Sequence, residues 1–118
     1  MEHELLHMTM LFDFYGELLT EKQREYFDLY HNEDLSLSEI AEKVGISRHG
    51  VYDIVKRAEN ILIETEEKTG IVKKWMYTQE EIEKAIKLTE ELKQQPDTNI
   101  NKIDRLISVL NNLQEKST

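Results

Sequence analysis

The spacing of apolar residues along the chain predicts a series of helices. A first helix is expected over residues 3–19, where the apolar stripe consists of Leu11, Phe12, Tyr15, Leu18 and Leu19. Capping boxes at Thr20–Gln23 and Ser36–Glu39 predict the starts of a second and a third helix, which should end near Asn32 and at Gly45. The second helix has an expected inward face of Tyr26, Phe27 and Tyr30.

The second half of the chain predicts three more helices. A fourth helix, capped by Ser47, should continue to about Lys68, because its apolar residues keep helical spacing up to the stop at Thr69-Gly70. After a short segment with Trp75 and Tyr77, a capping box at Thr78–Glu81 predicts a fifth helix with an inner face of Ile82, Ala85, Ile86, Thr89 and Leu92. Pro96 and Asp97 should break it, and the sixth helix carries Ile103, Leu106, Leu110 and Leu113. We expect helices five and six to form an antiparallel hairpin.

The third and fourth helices fit a helix-turn-helix motif. Ala41 is the small residue where the two helices cross, and Gly45 stands in the turn. The five positions that should bury the motif are all aliphatic, namely Ile40, Val44, Ile46, Val51 and Ile54. The predicted fold is therefore all-α and without a wing. It has a helix-turn-helix domain with its N-terminal helix over residues 1–68, and a C-terminal helical hairpin over residues 69–118 that packs on it or on a dimer partner.

The exposed face of the fourth helix is the candidate nucleic-acid interface, because a helix-turn-helix inserts its second helix into the major groove. The candidate residues are Ser47, Arg48, His49, Tyr52, Asp53, Lys56 and Arg57. Arg48 is expected to bind guanine or a phosphate, and His49 and Tyr52 are expected to contact base edges or sugars. Lys56 and Arg57 are expected to bind the sugar-phosphate backbone of the nucleic acid. The alternative is an ordinary solvated helix in which Asp53 pairs with Arg57.

Charge and composition narrow the function classes. The net charge of −9 argues against indiscriminate phosphate binding, although the stretch from Ser47 to Ala58 is locally basic. The sequence has no cysteine, which removes disulfides and thiolate sites. An acidic start and the lack of a long apolar run predict a cytoplasmic protein that does not contact a membrane.

One short string has the pattern of a metal site. His3-Glu4-Leu5-Leu6-His7 satisfies H-E-x-x-H, which on a helix places two imidazoles on one face for zinc. We interpret it as a chance match, because a metalloprotease needs a third ligand and a walled cleft, and the chain shows no strand pattern. Adventitious metal binding by His3 and His7 stays open. Since no other catalytic pattern is present, we expect no enzyme activity, no cofactor and no specific metal site.

The apolar residues exceed what one small fold needs, which predicts a homodimer. Met10 and Phe14 lie off the main stripe of the first helix and either fill the core or contact a partner. The C-terminal hairpin also has surplus apolar surface. The sequence leaves open which of the two elements pairs.

Three strings carry a family resemblance. The run from Leu35 to Arg48 resembles region four of sigma-70-type transcription factors. Leu11-Phe-Asp-Phe-Tyr15, Leu18-Leu-Thr-Glu-Lys-Gln23 and Ser47-Arg-His-Gly-Val-Tyr-Asp-Ile-Val-Lys-Arg57 are more closely similar to the YlxM-like family of small bacterial helix-turn-helix proteins, over about residues 8–65. The chain differs in having Gly50 where the family tends to have Ala, and His49 where it tends to have Gln, a stronger reader of adenine.

The resemblance implies a DNA-binding protein associated with the signal recognition particle, through the GTPase or the RNA of that particle. Two functions follow. The first is a dimeric helix-turn-helix regulator whose two recognition helices reach major grooves about 34 Å apart. The second is a protein-interaction module that binds the particle's GTPase or RNA without specific DNA binding. Both act by occupancy, without covalent chemistry.

Overall fold

The computed structural model describes residues 2–94 and 100–116. The elements within these ranges are all helical and contain no strand, which confirms the predicted all-α class. The helices are α1 (Glu2–Tyr15), a 3-10 turn (Gly16–Leu18), α2 (Glu21–His31), α3 (Leu37–Val44), α4 (Arg48–Thr69), α5 (Ile71–Gln94) and α6 (Ile100–Lys116). None of these helices is long and apolar enough to cross a membrane.

Two of the three predicted capping boxes are present, those of α2 and α3. The Thr20 hydroxyl accepts a hydrogen bond from the Gln23 amide at 3.2 Å, and the Gln23 side chain accepts one from the Thr20 amide at 3.0 Å. Ser36 and Glu39 make the same pair of bonds, each at 3.1 Å. Because each box satisfies two amides that a helix start leaves without partners, α2 and α3 begin where the sequence predicts.

The first helix is shorter than predicted. α1 ends at Tyr15, and the chain tightens into a 3-10 turn in which the Leu19 amide donates to the Gly16 carbonyl at 3.1 Å. This tighter turn departs from the helical stripe, so Leu18 is 61% exposed instead of inward, while Leu19 is buried. Tyr30 of α2 was also predicted to face inward and is exposed.

Contacts divide the chain into two compact units, one ending at Val72 and the other beginning at Lys73. The first unit contains two groups of buried apolar side chains. One group consists of Leu11, Tyr15, Leu19, Phe27, Ala58, Leu62 and Val72. The other lies among α2, α3 and α4 and consists of Tyr26, Leu29, Ile40, Val51 and Val55. This second group holds the predicted helix-turn-helix against α2.

The start of α5 differs from the prediction. α4 ends at Gly70, whose φ of +61° is the left-handed conformation that glycine adopts easily, as the sequence predicts. The next helix begins at once at Ile71 and not at Thr78. The Thr78 hydroxyl donates to the Lys74 carbonyl at 3.0 Å, so the predicted capping box lies inside a continuous helix.

Side chains of α4 explain this early start. Glu66 Oε1 accepts a hydrogen bond from the Val72 amide at 3.0 Å, and Thr69 Oγ1 accepts one from the Ile71 amide at 3.3 Å. These two bonds satisfy the first amides of α5. The side chains that cap the start of α5 therefore lie in α4, before Gly70, and the sequence there has no capping-box pattern.

In the second unit, the buried face of α5 is rotated from the predicted one. Glu81 and Leu88 are buried. Of the five predicted inward residues, Ala85 and Leu92 are half-buried, whereas Ile82, Ile86 and Thr89 are exposed. Lys84 Nζ lies 3.1 Å from Glu81 Oε1 and compensates this buried carboxylate. A choice of face by apolar residues alone could not place a glutamate inward.

The sixth helix agrees in part with its predicted face. Ile103, Leu106 and Leu113 are half-buried, and Leu110 is exposed. Lys102 Nζ of α6 lies 3.7 Å from Glu91 Oε2 of α5, so the two helices approach each other at that point. The predicted break at Pro96 and Asp97 lies outside the described residues.

Candidate nucleic-acid interface

The predicted helix-turn-helix consists of α3, a turn over residues 45–47, and α4. Gly45 has φ +78°, and its amide donates to the Ala41 carbonyl at 2.9 Å, which closes α3 in the left-handed conformation. Among the predicted buried positions, Ile40 and Val51 are completely buried, and Val44 and Ile54 are half-buried against the same cluster. These side chains form the apolar wedge that the motif requires.

Ile46 is the exception among the five predicted wedge residues, because its side chain is 39% exposed. Its Cδ1 atom lies 3.4 Å from the position that a Cβ on Gly50 would occupy. The side chain therefore lies beside the first turn of α4 and does not insert between the two helices.

Ser47 holds the start of α4. Its Oγ accepts a hydrogen bond from the Gly50 amide at 3.0 Å, as the sequence predicts for an N-cap. A helix N-terminus also carries a partial positive charge from its free amides. Arg48 is the first residue of α4 and adds a full positive charge at this end.

All seven predicted interface residues are exposed. On a helix of 3.6 residues per turn, the members of this set from Arg48 to Arg57 span about 180° around α4 and are centred away from the buried residues Val51, Val55 and Ala58, while Ser47 stands at the N-cap. The set consists of Ser47, Arg48, His49, Tyr52, Asp53, Lys56 and Arg57. The selected residues are thus distributed over the exposed half of α4, with Arg48 and Arg57 at its two edges.

The charges on this surface are only partly paired. His49 Nε2 lies 3.5 Å from Asp53 Oδ2, and the His49 and Tyr52 rings are nearly parallel with centroids 6.3 Å apart. Asp53 therefore pairs with His49, and the predicted alternative pairing with Arg57 is not among the ion pairs of the described residues. Within the same part of the chain, neither Arg48 nor Arg57 has an ion-pair partner.

Sequence reasoning missed one pair of residues beside this surface. His31 of α2 is only 7% exposed in its side chain, and its Nε2 lies 2.7 Å from Glu59 Oε2 of α4. The other oxygen of Glu59 lies 3.9 Å from Lys56 Nζ. The available signal was the position of His31 one helical turn after Phe27, on the edge of the buried face.

An open pocket of about 870 Å³ adjoins this pair, and three of the residues that line it are acidic. These are Asp34, Glu39 and Glu59, with Lys56 at the same pocket. Because carboxylates repel phosphate, the acidic residues of this pocket disfavour the approach of nucleic acid beside Lys56.

The H-E-x-x-H string lies in the first turns of α1. The side chain of His7 is described and exposed, whereas that of His3 lies outside the described side chains. Among the side chains that are described, no group of three or more histidine, aspartate or glutamate residues is arranged to hold a metal ion.

Comparison with known proteins decides the family. The model of the UPF0122 family, described as "Putative helix-turn-helix protein, YlxM / p13 like", matches residues 2–115. The chain belongs to the UPF0122 family. This confirms the predicted YlxM-like membership, and the match extends through both compact units. The family is described by its helix-turn-helix and not by a catalytic activity. The resemblance to sigma region four stays a prediction.

Bacterial relatives of the UPF0122 protein cover most of its length. It is 56% identical over 84 residues to a UPF0122 protein of Caldanaerobacter subterraneus subsp. tengcongensis, covering 71% of this chain and 72% of the relative. It is 48% identical over 100 residues to one of Thermoanaerobacter pseudethanolicus, covering 82% and 86%. A relative from Halalkalibacterium halodurans is 47% identical over 92 residues, covering 78% of each chain.

Proposed function

We propose that this UPF0122 protein is a nucleic-acid-binding helix-turn-helix regulator that acts through the exposed face of α4. The observation that carries the proposal is that Arg48 and Arg57, at the two edges of the exposed half of α4, have no ion-pair partner among the described residues. A cation that is already paired within the protein binds phosphate weakly. Unpaired arginines at a helix-turn-helix surface are available for phosphate or guanine.

Each residue of the face has a proposed role. Arg48, the first residue of α4, contacts a base edge or a phosphate. The free backbone amides at the N-terminus of α4, next to Ser47, bind a phosphate beside it. His49 and Tyr52 present two nearly parallel rings to bases or sugars. Lys56 and Arg57 lie two turns further along and contact the backbone. Asp53 orients His49 through their 3.5 Å contact.

The charge distribution restricts how this binding works. Residues 1–72 contain seven basic and sixteen acidic residues, so the unit with the helix-turn-helix carries the whole net charge of −9. Long-range attraction to a polyanion is therefore absent, and affinity depends on a few local contacts. We expect weak non-specific binding and a clear loss of affinity when Arg48 is replaced.

The biological setting that we propose is the signal recognition particle pathway, on the strength of the family resemblance. In that setting the protein acts as a homodimer on DNA or on the RNA of the particle. The alternative is a protein-interaction module that binds the GTPase or the RNA of the particle without specific DNA binding. The acidic character of residues 1–72 and the acidic pocket beside Lys56 favour the GTPase over a nucleic acid as the partner in this alternative.

A cross-linked pull-down from growing cells separates the two functions. The tagged protein and its Arg48→Ala variant are purified after cross-linking, and the attached DNA, RNA and proteins are identified together. The matched control is Lys87→Ala, an exposed cation on α5. Discrete DNA sites that are lost only with Arg48→Ala support the DNA-binding regulator.

Recovery of one small RNA or of the targeting GTPase without DNA sites supports the interaction module. Equal recovery of nucleic acid by all three proteins contradicts a role for α4. Recovery of neither nucleic acid nor the targeting machinery contradicts both functions.

A further inference from the structure

We propose that the second unit pairs two copies of this chain through one apolar flank of α5 and α6. This inference rests on the homodimer proposed above and assigns its surface. On α5 the flank consists of Trp75, Ile82 and Ile86, and on α6 it consists of Ile100, Ile103, Ile107 and Leu110. All of these except Ile103 are between 37% and 70% exposed.

The α5 residues of this flank form a continuous stripe. Trp75, Ile82 and Ile86 are separated by seven and four positions, which places them within about 40° of one another around the helix axis. They stand between about 100° and 160° around the helix axis from the buried residues Glu81 and Leu88. Ile82 and Ile86 on this stripe are therefore apolar side chains that stay exposed in a single chain.

The α6 stripe has the same relation to the buried side of its own helix. Its members follow at intervals of three, four and three residues, and they stand on the same rotational side of the half-buried residues Leu106 and Leu113. In an antiparallel pair of helices, two stripes that are displaced in the same rotational direction from the facing sides of their helices lie on the same side of the pair. The Lys102–Glu91 contact at 3.7 Å is consistent with that arrangement. The two stripes then form one apolar face.

Charge favours a second copy as the occupant of this face. Residues 73–118 contain eight basic and eight acidic residues, so this unit has no net charge. A nucleic acid or an anionic membrane would need an excess of Lys and Arg, which the unit lacks. Two neutral units meet without like-charge repulsion, whereas two copies of the −9 unit would repel. A two-fold dimer uses the same patch on both copies, as this face allows.

The test is the mass of the full-length protein in solution over a concentration series, measured by light scattering after gel filtration. We expect the wild type to have twice the 14.0 kDa of a single chain. Ile86→Glu and Ile107→Glu place a charge in the paired face and should weaken dimerisation by more than about thirtyfold. Met76→Glu is the matched control, because Met76 is 41% exposed on the other flank of α5. It should remain dimeric.

Circular dichroism checks that each variant keeps the helix content of the wild type. If a glutamate variant does not fold, Ile86→Ser is tested as the variant of the paired face. A monomeric wild type overturns both the homodimer and this surface. Dimeric Ile86→Glu and Ile107→Glu overturn the surface and leave the homodimer standing. A monomeric Met76→Glu also overturns the surface. Nucleic-acid binding is measured separately through Arg48, so failure of the dimer is distinguishable from failure of the α4 interface.

Discussion

His31 and Glu59 join α2 to α4 through a hydrogen bond of 2.7 Å between Nε2 and Oε2. The imidazole is enclosed by the rings of Phe27 and Tyr30, whose centroids lie 4.3 Å and 5.1 Å from its own. The same carboxylate lies 3.9 Å from Lys56 Nζ on the candidate interface. One buried residue of α2 therefore fixes the position of the helix that we propose to bind nucleic acid.

Replacing Glu59 with alanine should lower the free energy of unfolding by about 1–3 kcal/mol, because the buried His31 Nε2 loses its hydrogen-bond partner. The measurement is urea unfolding followed by circular dichroism. The control is Glu64→Ala, an exposed position on the same helix, which should change stability by less than about 0.5 kcal/mol. Equal effects of the two substitutions would contradict a stabilising role for the His31–Glu59 pair.

Tyr15 should stabilise the junction between α4 and α5. Its hydroxyl donates to Glu66 Oε1 at 2.7 Å, and it lies 2.6 Å from Thr69 Oγ1. These are the two side chains that cap the start of α5. Tyr15→Phe should lower the free energy of unfolding by about 0.5–1.5 kcal/mol in urea unfolding, whereas Tyr52→Phe on the exposed face of α4 should leave it unchanged. If Tyr15→Phe is as stable as the wild type, Tyr15 does not stabilise the junction between α4 and α5.

The same residue gives a dependence on pH. Burial raises the pKa of Tyr15 above its ordinary value of 10.0, so the folded state holds the phenolic proton more tightly than the unfolded state. The stability that this proton contributes is present below pH 10 and is lost as the pH rises through the raised pKa. Between pH 9 and pH 11 the wild type should therefore lose more stability than Tyr15→Phe. Parallel profiles for the two proteins would refute this assignment.

The two glycines of the helix-turn-helix should respond differently to alanine. Gly45 has φ +78°, so Gly45→Ala should cost about 1 kcal/mol. Gly50 lies within α4, where alanine is favoured by up to about 1 kcal/mol, although its Cβ would lie 3.1 Å from Ser47 Oγ. Gly50→Ala should therefore be neutral or stabilising in thermal unfolding. A destabilised Gly50→Ala would mean that Ser47 cannot shift to admit the methyl group.

Local sequence signals predicted most of the first unit. The caps at Thr20, Ser36 and Ser47 and the stops at Gly45 and Gly70 depend on residues within four positions of each other, so the sequence contains them completely. The exposed face of α4 followed from the same periodicity. Helix boundaries could therefore be predicted where residues within one helical turn form the cap or the stop. The same holds for the side of a helix that faces the core.

Three features of the structure were not apparent from these patterns. The start of α5 is decided by Glu66 and Thr69 of the preceding helix, so the Thr78 capping box was misleading. Periodicity assigned the apolar Ile82 to the inner side of α5, whereas Glu81 lies there with Lys84 Nζ 3.1 Å from its Oε1, and a pattern of apolar residues does not register such a charged pair. The His31–Glu59 pair joins residues 28 positions apart, which no local pattern can reveal.

The most direct test of the α4 interface is the salt dependence of nucleic-acid binding. The dissociation constant of the full-length protein is measured by fluorescence anisotropy with a mixed-sequence DNA duplex and with the RNA of the signal recognition particle, between 50 and 200 mM salt. Arg48→Ala and Arg57→Ala are compared with the wild type and with the control Lys87→Ala.

On the nucleic acid that the protein binds, we expect both arginine variants to bind more weakly than the wild type. If each arginine binds a phosphate, the slope of log affinity against log salt should become shallower by about 0.7 to 0.9 for each phosphate that a substitution releases, while Lys87→Ala keeps the wild-type values. Identical affinities and slopes for all four proteins, on either nucleic acid, would contradict the proposal that this face of α4 binds nucleic acid.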